Sequence, residues 1–409
     1  MIVVSKSDAV IKGDLQITGS KSESNRLLLL NKLFQDVLTL ANVSNSEDSQ
    51  LMQKALANTG DVIDIHHAGT AMRFLTAYYS IQEGRSVTLT GSDRMKQRPI
   101  GVLVDALNQL GADITYIENE GYPPLKINGK KITANQITIP ANVSSQYISA
   151  LMLIGTQLEN GLTITLEGKI ISVPYIQMSI QLLNRIGVEA KMEGQQIKVE
   201  YTPSIQSKTV QVESDWSSAS YYYSLVALSP NSQVSISTYF QDSLQGDSAL
   251  QIIYKENFGV SSVFEDGKLT LTNNPNFKYA DIITLDLNNT PDIAQTIAAT
   301  CVGLGLKCHL TGLETLKIKE TDRLQALKNE LEKVGAEIEI TNETLTITGY
   351  KDFTTTPIFA TYNDHRMAMC MAPLAVKYPI KIENEMVVEK SYPTFWEDWK
   401  QLDFKIESI

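Results

Sequence analysis

Two acidic residues in the second half of the chain stand where proton transfer would be done: Asp292, after Pro291, and Glu320, in the run Lys319-Glu-Thr-Asp-Arg323. A carboxylate moves protons well only when its surroundings bring its pKa near the working pH. Beside Lys319 and near Arg323, Glu320 keeps a low pKa unless it is buried, and a surface salt-bridged turn is the plainer reading of the same run. Asn363-Asp-His-Arg366 adds a titratable imidazole, His365, and a guanidinium, Arg366, suited to a bidentate grip on an anion. A satisfied core histidine is the alternative there. Lys390, in Val387-Val-Glu-Lys-Ser-Tyr-Pro393, supplies one more cation.

The first half offers groups that hold anions. Gly19-Ser-Lys-Ser-Glu-Ser-Asn-Arg26 precedes an apolar helical run, Leu27 to Leu33. Ser and Asn there can cap the helix, its free N–H groups favour anions, and Lys21 and Arg26 add charge-assisted contacts. A Walker A loop is excluded, since that motif needs Gly-Lys-Ser/Thr. A plain N-cap with solvated cations explains the segment equally well. Ala68-Gly-Thr-Ala-Met-Arg73 begins with small residues that let backbone approach a ligand closely. Asp93-Arg-Met-Lys-Gln-Arg-Pro99 packs cations, Arg98 among them, into a loop that reads more readily as a solvated turn. Val143-Ser-Ser-Gln146 offers the hydroxyls of Ser144 and Ser145 and the Gln146 amide, or is an ordinary cap. Four histidines, at 66, 67, 309 and 365, show no metal-ligand spacing.

These groups need a scaffold, and the sequence repeats one. A helical stretch ending in glycine and followed by a β-rich segment recurs, most clearly at 102–115, 177–200 and 321–349. In the third copy Leu324, Leu327, Leu331 and Val334 keep helical spacing, Gly335 takes the helix-ending place, and Glu337-Ile-Glu-Ile begins a strand alternation. Weaker copies end near Gly60 and Gly259. The intervals exceed the roughly 20–50 residues of open solenoids, so the units should pack into globular lobes of α/β class. Accidental spacing in a large α/β enzyme is the competing account.

Length and composition fit that picture. At 409 residues the chain exceeds the roughly 250–300 over which one core grows, so two domains are expected. Apolar residues at 43% and charged residues at 20% give ample core and no general disorder. A formal charge of −11 argues against nucleic acid or an anionic membrane surface as the main partner. The first residues form an apolar run too short for a signal peptide, and no stretch approaches the ~20 apolar residues of a membrane span, so a cytoplasmic protein is expected. Cys301, Cys308 and Cys370 lack a paired spacing and read as reduced, buried thiols.

Taken in order, eleven blocks resemble the enolpyruvyl transferase family along nearly the whole chain, nearest to its shikimate 3-phosphate branch: GSKSESNR, AGTAMR, DRMKQRPIG, SSQYISAL, SVPYI, ESDWSSASYY, SLQGD, NNTPDIAQT, IKETDRL, YNDHRMAM and KSYPTF. The resemblance implies two similar lobes, each of three βαβαββ units around buried helices, with the active site in the cleft between them. It places residues 20–212 in one lobe and residues 1–19 with 213–409 in the other, with hinges near Gly19 and Glu213. The implied reaction moves the enolpyruvyl group of phosphoenolpyruvate to the 5-hydroxyl of shikimate 3-phosphate, releases phosphate, and serves chorismate and aromatic amino acid synthesis. It needs no cofactor and no metal. By resemblance Asp292 handles the 5-hydroxyl, Glu320 protonates and later deprotonates the methyl carbon, and Lys21 touches both substrates, with His365 a further catalytic candidate. Shikimate 3-phosphate would be held by Ser144, Ser145, Ser172 and Lys319 at its phosphate, by Ser22 and Arg26 at its carboxylate, and by Gln146 and Tyr175 at the ring. Phosphoenolpyruvate would take Gly69, Arg98, Gln146, Arg323, Arg366 and Lys390. Glyphosate, with a phosphonate and a carboxylate, would compete for the same cations, with Gly69 deciding the room it finds. A monomer is expected.

The pattern is broken at three places. His67 stands where the family commonly has Asn, Val173 replaces a common Lys, and Thr315 replaces an Asn near the shikimate site. His67 and Thr315 still carry groups able to hydrogen bond. The sister branch acting on a UDP-amino sugar usually has a reactive cysteine in the loop that here reads Met95 to Ile100. A silent anion-binding protein would not need both carboxylates.

Overall fold

The structure is a computed structural model that describes residues 1–8, 10–170 and 172–409. It divides into two compact units, residues 19–212 and residues 1–18 with 213–409, so Gly19 falls with the residues that follow it.

One local plan builds most of both units. In the clearest copy Ile282–Asp286 pairs in parallel with Lys307–Thr311, which pairs antiparallel with Leu345–Tyr350, whose other edge carries Ala336–Ile340. The helix Ala294–Leu304 joins the parallel strands, and Arg323–Leu331 leads into the hairpin. Parallel strands need such a crossover, whereas the last two can turn directly. Five four-stranded sheets follow this order, three in the unit of residues 1–18 with 213–409 and two in the unit of residues 19–212. The latter also holds a parallel pair, Leu38–Ala41 with Lys208–Gln211. The N-terminal strands belong with distant sequence: Ile2–Ser5 lies between Ile380–Ile382 and Lys405–Ser408, and Lys12–Gln16 pairs with Gln233–Ser237.

Alternation explains the strands. Leu162–Glu167 reads buried and half-buried in turn, one face inward. Some helices are different: Gly69–Ser80 is buried at every residue, Trp216–Leu228 at all but Ser217, and Ser145–Gly155 at all but Gln146. Helices apolar around their whole girth belong in the middle of a core. In the unit of residues 19–212 the helices 69–80 and 145–155 pack on each other and on Lys21–Leu33. In the other unit Trp216–Leu228 packs on Ala294–Leu304, which also meets His365–Met371.

The helix-ending glycines hold left-handed backbone at Gly111, Gly187, Gly259 and Gly335. Gly60 corrects the expectation: the helix Glu47–Ala57 closes at Asn58, whose side chain accepts from the Gly60 N–H at 2.7 Å, and Gly60 is not left-handed. An asparagine side chain does there what a left-handed glycine does elsewhere. The three cysteines are free and buried.

Gly187 and Gly335 hold the same conformation in different company. A Cβ at Gly187 would meet nothing within 4 Å, while one at Gly335 would meet the Lys351 carbonyl oxygen at 2.0 Å. Gly187→Ala is therefore expected to cost about 1 kcal/mol, the left-handed penalty alone. Gly335→Ala should cost about 2 kcal/mol beyond that, since backbone must move. Urea unfolding of the two variants checks this, and equal losses would show that the Lys351 backbone yields freely.

Candidate active site

Most of the sequence clusters sit where a helix begins. Ser20 caps Lys21–Leu33, Ser144 caps Ser145–Gly155, and Ser172 precedes Val173–Ile186. Gly69 opens Gly69–Ser80, Asp292 lies in the short turn Pro291–Ile293 before Ala294–Leu304, Asp322 caps Arg323–Leu331 and Asp364 caps His365–Met371. Helix starts carry unpaired N–H groups and the positive end of the helix dipole, which suits anions.

In the unit of residues 19–212, Lys21 lies 3.5 Å from the buried Asp48 carboxylate. Ser22 is half-buried and gives its backbone oxygen to Arg26 at 2.9 Å. Arg26 itself is only 2% exposed: Nε donates to Ser179 at 2.8 Å, one terminal nitrogen donates to Ser149 at 2.9 Å, and the guanidinium lies over the Phe74 ring. With neutral oxygens around it, burial pulls its pKa down to about 10. Arg26 thus ties the starts of three helices together beneath the surface where Lys21 and Ser22 lie. Tyr175, half-buried, accepts from Arg26 through its backbone oxygen at 3.5 Å.

Gly69 and Arg98 are brought together. A Cβ on Gly69 would stand 2.5 Å from an Arg98 terminal nitrogen and 3.0 Å from its Cζ, so the guanidinium rests against the bare Cα. Arg73, one helical turn on, holds the loop in place by donating to the Gly69 carbonyl at 3.1 Å and the Pro99 carbonyl at 3.0 Å. Burial, and then the nearby Arg98 charge, lower the Arg73 pKa to about 10. Gln146 donates to the Thr70 hydroxyl at 3.1 Å, and the exposed Ser144 hydroxyl accepts from the Gln146 N–H at 3.4 Å. Ser145 is buried beside it, and Ser172 holds left-handed backbone at φ 54°. His67 is exposed with Nδ1 2.6 Å from the Ser92 hydroxyl.

The other unit gathers its predicted residues around one guanidinium. Arg323, 2% exposed, donates to Asp364 at 2.7 Å, to Asp292 at 3.0 Å and to Glu320 at 2.9 Å. Burial alone would lower its pKa, but Asp364, Glu320 and Asp292 outweigh it and hold it above the ordinary arginine value. Asp292 faces Lys319 at 3.4 Å and Arg366 at 3.5 Å as well. Burial would raise the Asp292 pKa, yet Lys319, Arg366 and Arg323 hold it far below the usual carboxylate range. Glu320 is shared with Lys390 at 3.2 Å. Arg366 donates to the Asp292 backbone oxygen at 3.1 Å. His365 is buried at 3% exposure, its Nδ1 3.8 Å from Asp364. Asp364 and Arg73 were not singled out from sequence; the signals available were an aspartate at a helix start and a lone cation on an apolar helix.

The fold recurs in solved enolpyruvyl transferases. EPSP synthase from Acinetobacter baumannii aligns with a TM-score of 0.79 at 20% identity, covering 100% of this chain and 99% of that one. The enolpyruvyl transferase NikO from Streptomyces tendae aligns at 0.74 and 12% identity over 99% and 98%. The chain belongs to the EPSP synthase (3-phosphoshikimate 1-carboxyvinyltransferase) family, whose model matches residues 54–399. Curated 3-phosphoshikimate 1-carboxyvinyltransferases share 44% identity in Bacteroides fragilis ATCC 25285, over 97% of both chains, and 35% in Colwellia psychrerythraea 34H, over 96% of this chain and 97% of the other.

A carboxylate held this low makes stability pH-dependent. The folded Asp292 resists protonation, so its contribution is complete above the ordinary aspartate value of 3.8 and is lost as pH falls below it. Between pH 6 and pH 3 the wild type should lose about 1 kcal/mol more unfolding free energy than Asp292→Asn. Urea titrations at the two pH values measure it, and parallel losses would remove Asp292 from the cation cluster.

Proposed function

We infer that this chain transfers the enolpyruvyl group of phosphoenolpyruvate to the 5-hydroxyl of shikimate 3-phosphate and releases phosphate, by addition and elimination. Membership of the EPSP synthase family carries the reaction. The observation that carries the chemistry is the cluster in which Asp292 and Glu320 are each shared among cations. An unoccupied set of Lys319, Arg323, Arg366 and Lys390 would repel itself; the carboxylates balance it until anions arrive.

That balance gives a route to proton transfer. Phosphate and carboxylate groups of phosphoenolpyruvate that take up Arg323, Arg366 and Lys390 draw those charges away from Asp292 and Glu320. The Asp292 pKa then rises, burial being the force left unopposed. Asp292 can accept the proton of the 5-hydroxyl, and Glu320 can deliver one to the methylene carbon and take it back when phosphate leaves. Lys21 is assigned to both substrates and Arg98, seated on Gly69, to phosphoenolpyruvate. Ser144, Ser145, Ser172 and Lys319 take the phosphate of shikimate 3-phosphate, Ser22 and Arg26 its carboxylate, and Gln146 and Tyr175 its ring. Such preorganised charge is commonly the largest part of catalysis. His365, buried at a helix start with Nδ1 3.8 Å from Asp364, is kept as a further catalytic candidate. We read the protein as a cytoplasmic monomer whose own side chains supply every proton-transfer group.

The test is phosphate release with phosphoenolpyruvate plus shikimate 3-phosphate, against a UDP-amino sugar control. Turnover is expected with the first pair only, and Glu320→Gln should lower kcat about 10²–10⁴-fold while KM values stay within a few-fold. Turnover with the sugar alone would overturn the substrate; near-normal turnover in the variant would remove Glu320 from the chemistry.

Gly69→Ala is expected to push the Arg98 guanidinium aside, since its methyl would need the place of that group. The shorter phosphoenolpyruvate should lose about tenfold in KM, roughly one charge-assisted hydrogen bond, and glyphosate inhibition should weaken far more. Steady-state inhibition constants for both proteins decide it, and unchanged values for both ligands would exclude Gly69 and Arg98 from that site.

A further inference from the structure

Asp247 is a buried carboxyl at the edge of the cation cluster with no role in the chemistry above. It lies in the short turn Gly246–Ala249 and is 7% exposed. The turn is pinned to the start of the buried helix Trp216–Leu228. Gln245 accepts from the Trp216 N–H at 2.9 Å and donates to the Ser214 carbonyl at 2.9 Å. Glu213, also buried, accepts from the Trp216 indole at 2.7 Å, from the Phe240 N–H at 2.9 Å and from the Ser243 hydroxyl at 2.5 Å. This scaffold delivers the Asp247 carboxylate to the Ser217 hydroxyl, which donates to it.

Ser217 has one proton to give. With that proton committed to Asp247, the oxygen turns its lone pairs outward, and one of them accepts from an Arg366 terminal nitrogen at 3.1 Å. The same guanidinium donates from its other terminal nitrogen to the Asp292 carbonyl at 3.1 Å. Arg366 is thus fastened at both ends, by the Asp292 backbone on one side and by Ser217 on the other. Were the Ser217 hydroxyl free to rotate, its proton could face the guanidinium and repel it. The carboxylate fixes the sense of that bond. Among the described residues Asp247 is met by a hydroxyl and not by a cation at salt-bridge distance. Burial first, and then Asp292, push its pKa up to about 6, against the pull of Arg366 and Ser217.

We propose that Asp247 is a positioning residue that, acting through the Ser217 hydroxyl, holds the Arg366 guanidinium in the orientation that receives an anionic group of phosphoenolpyruvate. The proposal rests on the reading of Arg366 as a phosphoenolpyruvate ligand.

The experiment is steady-state kinetics on the full chain with Asp247→Ala, Ser217→Ala, the double variant, Asp247→Asn and Arg366→Lys, each with a thermal melt. Both alanine variants should raise KM for phosphoenolpyruvate about tenfold, the worth of one hydrogen bond to a charged group, with kcat falling less than about threefold and KM for shikimate 3-phosphate unchanged. The double variant should be no worse than the poorer single one, because both changes break the same chain of contacts. Asp247→Asn, which keeps an acceptor for Ser217, should recover most of the loss. If the alanine variants melt normally and keep KM for phosphoenolpyruvate within twofold while Arg366→Lys raises it, the positioning role is wrong and the reading of Arg366 stands. An unchanged KM in Arg366→Lys overturns that reading and the proposal with it. Should Asp247→Ala fail to fold, Ser217→Ala decides alone, since it removes a single hydroxyl. Additive losses, or equal loss of affinity for both substrates, would mark general damage and sink the proposal.

Discussion

A fully buried guanidinium cannot stand alone, and the charged cluster in residues 213–409 is organised by that constraint. Arg323 lies within hydrogen-bond reach of Asp364, Asp292 and Glu320, so one cation fixes three carboxylates that arrive on separate elements. Two of them extend the cluster outward to Lys319, Arg366 and Lys390. Burying unpaired charge costs several kcal/mol, whereas a hydrogen-bonded network keeps its geometry and gives a defined arrangement. The charges within the cluster nearly cancel, and this is what lets an acidic protein keep so many cations together for anionic substrates.

Arg26 and Arg73 show the other way of burying a cation. Neither is matched by a carboxylate in hydrogen-bond contact among the described residues; serine hydroxyls and backbone carbonyls take their N–H groups. Their pKa values fall to about 10 because burial is only partly offset. Both stay charged at neutral pH. Both also act mechanically: Arg26 links the starts of helices that carry Ser22, Ser149 and Tyr175, and Arg73 ties the Arg98 loop to the helix that Gly69 opens. A guanidinium, planar and many-handed, suits this better than an ammonium.

The repeated unit makes these placements possible. Each copy feeds a strand into a crossover helix, and the residues at those helix starts are the ones that bear charge or hydroxyls. Deeply buried helices such as Gly69–Ser80 and Trp216–Leu228 then hold the starts rigidly. Catalytic positioning benefits directly, since an error of about 1 Å at a reacting group is costly.

Much of this was legible in the chain itself. Serine and aspartate caps, helix-ending glycines and strand alternation are decided within a turn or two, so Ser20, Ser144, Gly187 and Gly335 announced their elements, and the ordered motifs announced the family. Gly60 was misread because an adjacent asparagine side chain closed that helix instead. What the sequence left open was pairing. Arg26 meets hydroxyls 123 and 153 residues away, and Arg323 meets Asp364 across 41 residues. The sequence could not tell whether Glu320 lay on a solvated turn or beside a buried cation, nor that His365 would turn inward. Such contacts depend on how whole helices pack, where burial removes water and makes each charge choose a partner. Tertiary structure alone makes that choice, because desolvation is a property of the assembled core and of no local stretch of chain.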